Sequence, residues 1–123
     1  MIPEPLDASP HVLVLTTCAD QAQARSLAAS LVESGIAACV QMQSVQSVYR
    51  WAGAIQTDPE VALSIKTRRD ALPRLEQHFE HQHPYEVPEL VVLPIIGGSQ
   101  NYLGWIDEVL ADAPARGPQQ SDP

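Results

Sequence analysis

The first apolar run, residues 11–18 (HVLVLTTC), is nearly unbroken, which predicts a short central strand covered on both faces. Asp20 follows as a helix N-cap, with Gln23 three residues on in the manner of a capping box. Ala24, Leu27, Ala28, Leu31 and Val32 then recur at helical spacing, and Gly35 stands where the helix should stop. From Ile36 to Trp51 the period becomes two: Ala38, Val40 and Met42 alternate with polar or small neighbours. The apolar parity then flips to Val45, Tyr49 and Trp51, which predicts a bulge or bend near Gln43–Ser44. Gly53 marks a turn, and Val61, Leu63 and Ile65 return as a second long strand whose outer half carries Asp58-Pro59, an edge or bulge signal.

Leu72, Leu75 and Phe79 define a second helix over Asp70–His81, with Pro73 tolerated in its first turn. Leu90–Ile96 reads as a final strand, at an edge because of Pro94. Ser99 caps a third helix bearing Tyr102, Ile106, Val109 and Leu110. The order strand–helix–strand–strand–helix–strand is that of an α+β, ferredoxin-like split βαβ sandwich, here with an extended bent β-hairpin and an extra C-terminal helix. A single domain is predicted over 11–112, between disordered tails at 1–10 and 113–123. Sixteen extended residues would span about 50 Å, whereas a domain of this size has a radius of gyration of only about 13 Å. The hairpin must therefore bend or protrude, and a protruding Tyr49, Trp51 and Ile55 need a second subunit to cover them.

Composition narrows the function. A net charge of −8 argues against nucleic acid and anionic membranes as partners. Cys18 and Cys39 lack the spacing of a redox or zinc pair and read as reduced, buried thiols. With no signal-like N-terminus and no span of about 20 apolar residues, the expected compartment is the cytoplasm. The most unusual stretch is 82–89 (QHPYEVPE): two prolines four apart stiffen it, and an imidazole, a phenol and two carboxylates lie around them. A chain needing only a turn would use Gly, Asn or Ser, so this segment reads as the wall of a site or an interface.

Several segments together resemble the CutA divalent-cation tolerance proteins: 15–20 (LTTCAD), 36–40 (IAACV), 49–53 (YRWAG), 65–67 (IKT), 83–89 (HPYEVPE) and 102–106 (YLGWI). The match covers about residues 11–110 in order. It implies a homotrimer with an architecture akin to PII signalling proteins, and a role in copper and other divalent-cation tolerance. It implies no enzymatic activity. There are departures. Ala52 and Ala54 replace the Glu and Lys that usually flank the hairpin glycine, Gln41 replaces an Asn, and Gln43-Ser44 shortens a Pro-Gly turn. Where copper-associated members carry a Cys in the first strand and a His-His pair, this chain has Thr16, a thiol displaced to Cys18, and Gln82-His83.

The candidate metal ligands are accordingly His83, Cys18 and Glu86, for weak Cu²⁺ or another divalent cation, with no organic cofactor; His78, His81 and Glu89 are their expected neighbours. Tyr85, Glu89 and Lys66 are candidate lining of a cleft between subunits, and Tyr49, Trp51 and Ile55 candidate trimer contacts. Two other functions compete. A PII-like signalling or scaffolding trimer would hold a small anion in the same clefts. An acylphosphatase-type hydrolase would need an Arg in the loop after the first strand, and residues 16–20 (TTCAD) contain none.

Overall fold

In a computed structural model of the chain, residues 9–111 are described. The strands and helices are β1 His11–Cys18, α1 Gln21–Glu33, β2 Cys39–Trp51, β3 Ala54–Arg68, α2 Leu72–Gln82, β4 Val91–Pro94 and α3 Gln100–Ala111, with a 3₁₀ turn at Arg69–Ala71 leading into α2. The strands form one antiparallel sheet in the order β2-β3-β1-β4, which is the split βαβ arrangement with the extra helix at its end. The two predicted tails lie almost wholly outside the described residues. Ser9 and Pro10 are not loose, because the Ser9 hydroxyl donates to the Ile95 carbonyl and Arg69 N–H donates to the Pro10 carbonyl.

Local chemistry fixes the element ends. The Asp20 carboxylate accepts from Gln23 N–H at 2.9 Å, and the Gln23 side chain accepts from Ala19 N–H at 3.1 Å, so α1 starts with reciprocal caps. It stops in a Schellman pair: Gly35 N–H donates to Val32 and Ile36 N–H to Leu31, with Gly35 at φ 72°. Val12, Val14 and Cys18 of β1 and Val61, Leu63 and Ile65 of β3 pack on Leu27 and Leu31 of α1 and on Leu75 and Phe79 of α2. The opposite sheet face receives α3, where Ile106 is fully buried. Asp107 of α3 accepts from both His11 and Arg68, tying this helix to β1 and β3. Both edge predictions hold: β4, with Pro94, is an edge strand, and Pro59 sits beyond the end of the β1–β3 ladder.

The predicted bulge near Gln43–Ser44 does not occur. Pairing runs from Cys39↔Lys66 to Trp51↔Ala54 without a skipped residue. The parity flip has another cause, a change of environment along one regular strand. Val40 and Met42 pair with Ile65 and Leu63 on the helix-covered face, whereas Val45, Tyr49 and Trp51 pair with Glu60, Gln56 and Ala54 on the other. β1 accompanies β3 only from Val61 onward, so Ala54–Glu60 and its β2 partners form a two-stranded arm. At about 3.3 Å per residue the arm extends roughly 23 Å.

The arm closes in a two-residue turn, with Ala52 at φ 53° and Gly53 at φ 79°. Such turns suit the twist of a hairpin but require left-handed backbone at both positions, which disfavours alanine by about 1 kcal/mol. Replacement Ala52→Gly or Ala52→Asn should therefore raise the unfolding free energy by roughly 0.5–1 kcal/mol in urea titrations. No gain from either variant would show that the tip does not set the stability of the arm.

Candidate functional site

The 83–89 segment leaves α2 and crosses the end of β1, and His83 is what holds it there. Its Nε2 lies 2.9 Å from Thr16 Oγ1 on β1, and its Nδ1 accepts the Tyr85 backbone N–H at 3.1 Å. An accepting Nδ1 is unprotonated, so the ring is the neutral tautomer with its proton on Nε2. The ring packs between Phe79, 5.1 Å away, and Tyr85, 5.4 Å away. Burial pulls the His83 pKa below the ordinary value, while a contact with the Thr17 backbone opposes that shift.

Tyr85 is aimed by this anchor toward β3, where its hydroxyl donates to Glu60 at 2.7 Å. Burial and then the Glu60 carboxylate push the phenol well above its usual range. Tyr49 donates in the same way to Asp58, which raises its pKa too. Between the segment and the arm lies a cleft of about 820 Å³, lined by Thr17, Ser47, Val48, Tyr49, Trp51, Glu60, Pro84, Tyr85, Glu86, Val87 and Glu89. That size is ordinary for a small-ligand site.

The candidate residues are partly brought together and partly dispersed. Tyr85, Glu86, Glu89, Tyr49 and Trp51 line the cleft; Ile55 does not, although it is exposed on the same arm. Lys66 is placed elsewhere, with its Nζ 3.4 Å from the Tyr102 hydroxyl and 5.4 Å from the ring centre, against α3. Arg68, two residues on, pairs with Asp70 and Asp107. The helix histidines do not join His83: His78 bonds Ser30 of α1 at 2.8 Å, and His81 bonds the Gln77 carbonyl of its own helix.

As a ligand set, His83, Cys18 and Glu86 do not fit a resident metal within this subunit. The Cys18 thiol is fully buried and pushed up to about 11, first by burial and then by Asp20 and Glu60. It therefore remains protonated at neutral pH, and the thiolate is the form that binds metal. Both nitrogens of His83 are already engaged. Among the described residues no three His, Cys, Asp or Glu side chains come together as a metal-holding group. The cleft is also a poor host for an anion, since it presents three carboxylates and no Lys or Arg.

Two residues that matter here escaped the sequence reading. In the sequence Thr16 stands only where copper-associated members carry a cysteine, yet in the structure it anchors the segment. Glu60 was findable: a two-residue turn at Ala52–Gly53 sets it opposite Val45, on the face of Tyr49 and Trp51.

The family model described as CutA1 divalent ion tolerance protein matches residues 12–109. The chloroplastic protein CutA of Arabidopsis thaliana is 42% identical over 98 residues, 79% of this chain and 54% of that protein, so the chain spans about half of that relative's length. The divalent-cation tolerance protein CutA of Thermus thermophilus is 42% identical over 78% of this chain and 94% of its own length. Among solved structures, CutA from Synechococcus elongatus PCC7942 superposes with a TM-score of 0.81 at 41% identity, covering 83% of this chain and 91% of that one.

Acidification tests the neutral state of His83. The unfolded chain takes up this proton near the ordinary value of 6.5, and the folded chain only at lower pH. The contribution is therefore complete above that value and is lost as pH falls toward the depressed folded value. Urea midpoints should decline between pH 7.5 and 5.5, and the decline should shrink in His83→Gln. His78, also depressed by burial, supplies a remainder that His78→Gln removes. An undiminished decline in His83→Gln would mean that the ring is not held neutral.

Proposed function

The chain belongs to the CutA1 divalent ion tolerance family, and from that premise we propose that it serves divalent-cation tolerance as a homotrimer whose clefts meet the cation weakly. The observation that carries the quaternary reading is the arm. Val48, Trp51 and Ile55 are 69%, 63% and 61% exposed in the isolated subunit, on a ribbon that has no third strand among the described residues. Exposed apolar surface of this kind marks contact with another chain, and a further copy supplies it in our reading. The clefts then lie at the seams between subunits.

Copper-type affinity, on this reading, is low and led by carboxylates. Glu86 and Glu89 line the open cleft, while Cys18 and His83 keep the fold in order from beneath it. The protein is non-enzymatic: the His83 imidazole is bonded to Thr16 and the Tyr85 amide, so it is not available to activate Cys18. The two free cysteines are in keeping with a reducing compartment, and we place the chain in the cytoplasm. No helix among the described residues is long and apolar enough to cross a membrane.

Sedimentation equilibrium should give three times the chain mass, and Trp51→Glu with Ile55→Glu should reduce it to the single-chain mass; a wild-type monomer at micromolar concentration sinks the trimer. Cu²⁺ titration of the wild type should show weak binding that is lost in the Glu86→Gln, Glu89→Gln double variant and kept in Cys18→Ala. A tight site that disappears with Cys18 would reverse the metal reading.

A further inference from the structure

We propose that the cleft between the arm and the 84–89 segment is a binding site for a small organic cation, an aliphatic amine or a quaternary ammonium. The inference rests on the reading of this cleft as the cation-facing seam of the assembly, and it names what the seam is built to hold.

Three observations converge on that class. The wall is aromatic: Tyr49 and Trp51 come from β2 and Tyr85 from the segment. Aromatic rings attract ammonium groups through their quadrupole. The wall is also acidic, through Glu60, Glu86 and Glu89, and none of these carboxylates forms an ion pair with a basic side chain among the described residues. Glu60 and the neighbouring Asp58 instead accept from the phenols of Tyr85 and Tyr49, bonds that leave their charge in place. The carboxylates are, finally, too dispersed to chelate: no three acidic, histidine or cysteine groups form a metal-holding cluster among the described residues. Negative charge spread around an aromatic cleft of about 820 Å³ suits a cation whose charge is spread over carbon as well. The chain's net charge of −8 raises the local concentration of any cation near it.

The distinction from a metal ion is one of charge density. A divalent metal needs several oxygen donors converging within little more than 2 Å. An alkylammonium needs ring faces at about 6 Å or less and a carboxylate within Coulombic range. The cleft offers groups of the second kind.

Isothermal titration of the full-length protein with putrescine and with tetramethylammonium, at fixed ionic strength, tests this. Sodium acetate serves as the anionic control, and the assembly is followed by sedimentation in the same samples. One cation should bind per chain, acetate should not, and Glu60→Gln should weaken binding about tenfold, corresponding to about 1.4 kcal/mol. Trp51→Leu should do the same, while Arg25→Gln, on the exposed side of α1, should leave it unchanged. Absence of cation binding, or binding that ignores both Glu60→Gln and Trp51→Leu, overturns the proposal. A monomer in sedimentation would remove the trimer reading, whereas the titration reports separately on the cleft.

Discussion

Thr16 and His83 lie 67 residues apart in the chain, and the bond between them sets where everything around the cleft can be. The segment after α2 has no strand or helix of its own until β4. Its prolines make it stiff, but stiffness without an attachment fixes no position. One buried imidazole, bonded on both nitrogens and packed at a tilt against two rings, provides the attachment. Tyr85 is thereby delivered to Glu60, and Glu86 and Glu89 to the rim. The His-Pro-Tyr-Glu motif works here as a bracket, with its first residue inside the wall and its later residues facing the opening.

This division of labour accounts for the electrostatics. Groups beneath the cleft are kept neutral: the Cys18 thiol by burial and nearby carboxylates, the His83 ring by burial. Groups facing it bear the charge. The basic side chains do structural work elsewhere, Arg68 against Asp107 and Asp70, Lys66 against Tyr102. Arg74 caps the end of α1 by donating to the Ser34 carbonyl. Lys66 and Arg68 hold α3 to the sheet, and Glu60, Glu86 and Glu89 are left to face whatever enters the cleft.

The order of elements was legible because each carries its own punctuation: Asp20 with Gln23, Gly35, Pro73 after the 3₁₀ turn, and Ser99, whose hydroxyl accepts from Tyr102 N–H. The segment at 82–89 stood out because two prolines and four titratable groups, His83, Tyr85, Glu86 and Glu89, coincide there. What could not be read was which side of an element each group takes in three dimensions. A parity flip in β2 implied a bulge, yet the strand is regular and its surroundings change instead. Three histidines close in sequence implied a cluster, but the helix turns His78 toward Ser30 and away from His83. Thr16 carried no signal, since its partner lies in a distant part of the chain and hydroxyls are common in strands.

The position of β1 inside the sheet has a consequence for how the chain is made. This strand leaves the ribosome first, but both of its neighbours, β3 and β4, are synthesised later, and β4 comes from the far end of the domain. Until then Val12 and Val14 have no ladder to join, and the nascent domain carries a sticky apolar strand without its partners. β2 and β3 can zip locally as soon as they emerge, which gives that strand a template on one side. Its other side stays open until nearly the whole domain has been translated, so the interval in which a chaperone is most useful is written into the strand order.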